Sequence, residues 1–317
     1  MPTGYASGLQ TNFRYVLKKQ VRCAGIPADG EFGIDDARLD RLIVEMSHWI
    51  NRLTDQWFLP IRLNERVDGA RGAIARMPNQ IPILELFNLR LEKEGLFSFD
   101  FPSLAYQVKQ RYVMMTSPRM KLPDMPHFVT LDGVFGWLVD ETRIVKTRTT
   151  LLLNSGDTII KVLNTAGFRA GEAILVGDNP EPRISVVTNP GSLQLKSGGM
   201  IVEEVVNATD LKVEPLEITA SAGVSVSRYG RVPDMIQRAC FLMIRDRIQK
   251  IGDIDTAESP FGIGTRLNSE SVEGYSYSLG ALPAINGFGG GALTTGNVEV
   301  DDILQQFCTP AMYVGNI

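Results

Sequence analysis

The chain has 317 residues, 44% apolar and 21% charged, with a formal net charge of −4 at neutral pH. That leaves room for one large domain or two ordinary ones, in the composition of an ordinary globular protein. The mild acidity gives no global reason for a nucleic-acid surface. Cys23, Cys240 and Cys308 are too scattered for a disulfide framework or a thiolate cage, and His48 and His127 stand too far apart for the usual metal spacings. No run approaches the ~18 apolar residues of a membrane span. The first ten residues, MPTGYASGLQ, lack a basic-then-apolar signal pattern, so the expected setting is aqueous, reducing or neutral, and reached without a signal peptide.

Residues 1–10 are small and polar and read as a loose arm. Thr11 to Ala24 can form a short helix, with Phe13, Val16, Leu17 and Val21 inward and Gly25 at the C-cap position. The strongest periodic signal follows, from Ile34 to Phe58. Leu39, Leu42, Ile43, Met46, Trp49, Ile50 and Leu53 recur at the spacing of one helix face, and Asp35 and Asp36 stand where an N-cap accepts first-turn amides. Seven such groups, at roughly 1.5–3 kcal/mol each, make this helix a core anchor.

Strand signals come next. Leu63 to Pro82 carries turns at Asp68-Gly69 and Arg71-Gly72, and Ile83 to Leu91 alternates as a long strand. Tyr106–Met115, Phe128–Leu131 and Phe135–Val139 are further extended pieces, broken up by prolines. From about Thr147 to Ser227, short β runs alternate with Gly/Pro/Asn turns, as in a small sandwich or barrel inserted into the chain.

Helical period returns at Pro233 and stops at Gly252, with Ile236, Ala239, Cys240, Met243, Ile244, Ile248 and Ile251 as its core stripe. Phe241 and Leu242 lie off that stripe, so this helix is apolar on more than one side and needs a second partner. Ser269 to Leu279 alternates as a strand, 281–296 is glycine-rich, and Val298 to Phe307 reads as a short helix before the apolar residues 308–317.

Signatures of chemistry are weak. Gly274-Tyr275-Ser276-Tyr277-Ser278 lacks the closing glycine and the sharp elbow of a serine nucleophile. Gly287 to Ala292 fits a loose dinucleotide pattern, but Pro283 spoils the strand before it and Leu293-Thr294-Thr295-Gly296 the helix after it. Asp178 and Glu181 could be imagined as the carboxylate pair of a carbohydrate hydrolase, yet turn propensity explains them. No cofactor is called for, and the scarcity of histidine argues against an enzyme.

The order of elements says more than any motif. The run from Asp36 to Phe58, with its aromatic ending, and the Ser269–Ser278 segment SESVEGYSYS resemble the head-to-tail connector proteins of tailed bacteriophages. The resemblance covers residues 11–91 and 231–307, about half the chain; the β material at 147–227 departs from the compact family pattern. It implies a helical core domain with a β wing, formed by 1–146 and 228–307, and a docking tail at 308–317. Together with the small β-sandwich or β-barrel domain that the strand and turn pattern inserts at 147–227, the expected fold is α+β. It also implies a structural virion protein, assembled in the host cytoplasm, that joins head to tail as a neck ring, commonly of twelve copies. Its partners would be other copies of itself, the portal, the next neck or tail-terminator protein, and DNA passing without specific binding; no membrane is involved. The candidate portal anchors are Ile303, Leu304, Phe307 and Tyr313, and the candidate subunit-interface residues are Phe241 and Leu242, with packing on their own subunit left open for all of these. Glu299, Asp301 and Asp302 would line the lumen or serve as the negative charges that suit the start of their own helix, the simpler of the two readings. The alternative is another tail-completion, collar or baseplate protein.

Overall fold

The computed structural model describes residues 6–7, 13–26, 34–67, 69–70, 74–76, 81–93, 97–109, 111–116, 122, 129–139, 144–177, 195–252, 269–272, 275–278, 295 and 297–308. In chain order the elements are β1 (Ala6–Ser7), α1 (Lys18–Cys23), α2 (Asp36–Thr54), β2 (Ile61–Val67), β3 (Gly69–Ala70), β4 (Ile74–Arg76), β5 (Ile83–Lys93), β6 (Phe97–Asp100), β7 (Tyr106–Lys109), β8 (Tyr112–Met115), β9 (Val129–Phe135) and β10 (Val145–Arg148). There follow β11 (Ile159–Lys161), β12 (Glu172–Val176), β13 (Leu195–Gly198), β14 (Met200–Val205), β15 (Asp210–Val213), β16 (Thr219–Ala220), β17 (Ser225–Arg231), α3 (Asp234–Gly252), β18 (Ser269–Val272), β19 (Tyr275–Ser278) and α4 (Val298–Gln305). The chain divides into two compact units, Met1–Leu17 with Gln56–Asp234, and Lys18–Asp55 with Met235–Ile317.

The first unit is built of strands. Its central antiparallel sheet runs β13-β2-β9-β5-β6. A second sheet, β10-β17-β12-β14-β15-β11, curls until its edges meet: Thr149 pairs with Val162, Thr150 N donates to Lys161 O and Leu163 N to Arg148 O. Ile160, Val162, Ile174, Val202, Leu211 and Val226 fill the roll and are fully buried. A four-stranded sheet, β3-β4-β8-β7, completes the unit.

Charged side chains tie these layers together. Arg62, itself buried, clamps Asp132 of the neighbouring strand with Nε to Oδ1 at 3.0 Å and Nη2 to Oδ2 at 2.9 Å. The Phe87 ring lies 4.4 Å from its guanidinium, a desolvated cation–π contact. Glu85 on β5 accepts from Lys146 of β10 at 2.6 and 2.8 Å and from the Tyr229 hydroxyl of β17 at 2.8 Å, which fastens the central sheet to the roll.

Residues 137–139 pin both ends of the main β segment. Trp137 N donates to Trp57 O and its indole to Gln56 at 2.9 Å, while Val139 exchanges both backbone bonds with Arg231. Gln56 is the segment's entry and Arg231 lies three residues before its exit at Asp234. Gly230 makes this approach possible: its φ is +132°, and a Cβ there would collide with Val139 O.

The architecture corrects the expected α+β fold with its helical core. Strands predominate, with nineteen against four α-helices among the described residues, and the helices do not form the core to which a β wing is attached. The strands from Ile61 to Phe135, expected as a wing, supply four strands of the central sheet (β2, β5, β6 and β9) and all of the four-stranded sheet, and they have a buried interior of their own. The helix expected over Thr11–Ala24 shrinks to Lys18–Cys23. Aromatic burial outweighs local propensity there: Phe13 packs edge-on to Trp57 at 4.9 Å, Tyr15 to Phe58 at 5.5 Å, and Tyr15 Oη accepts from Phe58 N. Nor is the whole arm loose, because Ala6–Ser7 pairs with Thr219–Ala220.

Gly230→Ala would place a side chain in a glycine-only backbone region and drive it into Val139 O. The expected cost is about 2–4 kcal/mol, read as a fall in the urea midpoint of the full chain; an unchanged midpoint would show that the pin contributes nothing.

Candidate functional site

The second unit holds the four α-helices and the Ser269–Ser278 hairpin, part of the segments that carry the resemblance. In α2, Asp35 caps the helix by accepting from Arg38 N at 2.8 Å, and Leu39, Leu42, Ile43, Met46 and Ile50 are buried as their spacing predicts. Arg22 and Lys18 of α1 hold the start of α2, through Asp36 at 2.7 Å and Asp40 at 2.9 Å. The Arg22 hydrogen bond, and the positive charge of Lys18 and Arg22 behind it, hold the exposed Asp36 carboxyl below its usual range. At the other end, Asp55 takes the left-handed conformation that closes the helix, and partial desolvation raises its carboxyl pKa.

Helix α3 meets α2 through Cys240 Sγ and Ser47 Oγ, 3.8 Å apart. Full burial pushes the Cys240 thiol up to about 12, against the opposing pull of the Ser47 hydrogen bond. At α4, the Asn297 side chain accepts from Glu299 N and Val300 N, and its amide donates to Asp246 of α3 at 2.6 Å. One polar side chain therefore caps one helix and moors it to another. Cys308 lies 3.7 Å from Leu53 O, next to the last turn of α2.

The expected anchors take different places. Leu304 is fully buried and Ile303 4% exposed, because α4 turns its apolar face into its own unit, against α2 among others. Phe307 is half-buried, and Tyr313 lies outside the described residues. Leu242 is buried within a single copy and Phe241 half-buried. Of the acidic trio, Glu299 pairs with Arg238 and Asp301 accepts from Thr295 N and Oγ1 at 2.8 Å, so both serve the start of α4. Asp302 is exposed, and among the described residues its carboxylate has no partner.

Two uncovered surfaces emerge that the sequence reading passed over. A groove of about 540 Å³ between α3 and α4 is lined by Met235, Arg238, Val298, Glu299, Asp302 and Ile303. On the roll, Leu151, Leu152, Ile159 and Leu163 are all exposed beside Arg148 and Lys161. The available signal was Leu151-Leu152-Leu153, which reads as one buried run although only Leu153 points inward.

Among the described residues no group of three or more His, Cys, Asp or Glu could hold a metal ion, and no helix is long and apolar enough to cross a membrane. His127, Asp178, Glu181 and the 287–292 glycine run lie outside the described residues. No family model, curated protein or solved structure matches the chain.

The thiols offer a direct check of the packing. Cys23 is exposed, Cys308 partly covered and Cys240 buried with its thiolate disfavoured. At pH 8 a thiol reagent should modify Cys23 quickly and Cys308 slowly, and Cys240 only after denaturant is added. Rapid modification of Cys240 in the native protein would contradict the α2–α3 contact.

Proposed function

We propose that the chain is a structural protein of a tailed-bacteriophage virion, a connector that forms a closed ring between the portal and the next neck or tail protein, and that it catalyses no reaction. One observation carries this reading. Helix α2, helix α3, the Ser269–Ser278 hairpin and helix α4, which bear part of the resemblance, belong to one compact unit although some 180 residues separate α2 from α3, while residues 11–17 and 56–91, which bear the rest, belong to the other. Their company in one unit is what supports the reading, and it would also arise in any fold that brings distant segments together.

In this role the ring would number about twelve copies, as is common in the family resembled, and DNA would pass through it without specific contacts. A lumen without a surplus of lysine suits that passage, since each lysine–phosphate contact would add counterion-release affinity and slow the DNA.

The predominance of strand favours a neighbouring reading, a collar, tail-completion or baseplate protein, because the compact connector pattern has no unit of this size and kind. Native mass measurement of the purified chain, alone and mixed with portal, separates the two. The connector reading expects a closed ring in one of those conditions, bound to portal in the mixture. A persistent monomer or trimer that ignores portal would favour the neighbouring reading.

A further inference from the structure

The two uncovered surfaces are both apolar and are flanked by charges of opposite sign. On the roll, residues 148–150 run antiparallel to 161–163 as a short ribbon, Leu151 and Leu152 lead on to the bridge between Leu153 and Ala220, and Thr149, Leu153, Ile160 and Val162 are turned inward. Four large aliphatic side chains remain outside, Leu152 at 60% exposure and Leu163 at 65%, and they serve no core of their own chain. Arg148 and Lys161 are exposed on the same ribbon and have no ion-pair partner among the described residues. The α3–α4 groove is the converse. Its floor is Ile303, its walls are the partly exposed Met235 and Val298, and carboxylates stand at its mouth, Asp302 unengaged and Glu299 shared with Arg238.

We infer that the 148–163 ribbon of one copy docks into the α3–α4 groove of the next, with aliphatic side chains against Met235, Val298 and Ile303 and with Arg148 and Lys161 facing Asp302 and Glu299. The occupant is a second copy of this chain because the chain itself carries both halves, an apolar basic knob and an apolar acidic hole. Joining two different surfaces head to tail is the arrangement that repeats around a ring and closes it. The inference rests on the connector reading and specifies its contact.

The test uses the full chain and native mass measurement, with thermal melting as the check on folding. The double variant Leu152→Glu with Leu163→Glu alters exposed side chains only; it should melt like wild type and associate at least tenfold more weakly. Asp302→Lys should weaken association similarly, and adding Arg148→Glu with Lys161→Glu to it should restore part of the loss by reversing both charges. A mixture of Leu152→Glu/Leu163→Glu chains with Asp302→Lys chains should yield dimers and no rings, because each pair has one intact knob and one intact hole. Rings that persist in both variants would overturn the inference and leave the connector reading standing. Wild-type rings that ignore portal would overturn the connector reading alone, and the variants would still decide the contact. Wild type that stays monomeric both alone and with portal would overturn both. If anionic vesicles bind wild type and the Arg148→Glu/Lys161→Glu variant no longer binds them while its rings remain intact, the ribbon is a membrane surface and the inference falls.

Discussion

The short segment 137–139 holds together what the chain would otherwise pull apart. Trp137 secures Gln56 and Trp57, and Val139 secures Arg231, so the β segment that begins at Gln56 returns to the place where it started. Helix α2 ends at Thr54 and α3 begins at Asp234, and these must then pack together through Ser47 and Cys240. A slack loop of that length would add to the entropic cost of closure, by about 0.6 kcal/mol for each doubling. A segment whose ends are tied to each other leaves little of that cost to be met by the helices.

How much of this was legible in the sequence depended on whether a local pattern and its tertiary surroundings agreed. Helix α2 was legible in detail, because its apolar spacing, its Asp35 cap and its burial all point the same way. The strand from Ile83 was legible for the same reason. The first helix was not, since Phe13, which fits a helix face with Val16, Leu17 and Val21, and its neighbour Tyr15 gain more from Trp57 and Phe58, which lie more than forty residues away. Leu151 and Leu152 were misleading in the opposite direction, because a run of leucines reads as interior whichever way each side chain finally points. The helical core came from a likeness of segments, and a likeness that covers half a chain says little about which half dominates the fold.

The candidate site shows the same limit at closer range. Ile303 and Leu304 were picked out because a short terminal helix with one greasy side looks like an anchor awaiting a partner. The partner is its own unit, reached through the Asn297–Asp246 mooring, which no periodicity reveals. For Glu299 and Asp301 the simpler of the two readings, negative charge at the start of their own helix, fits their pairing with Arg238 and Thr295. What remains open to a neighbour lies elsewhere, in the exposed aliphatic ribbon of the roll and the groove beside Asp302.

The central claim is that one copy hands its ribbon to the groove of another. Zero-length carbodiimide cross-linking of an assembled equal mixture of isotope-labelled and unlabelled chains tests it most directly, since Lys161 would then stand against Asp302 or Glu299. The account predicts linked peptides joining Lys161 to one of those carboxylates, with one labelled and one unlabelled half. Linked peptides drawn only from a single chain, or the absence of any link at Lys161 in an assembled sample, would contradict it.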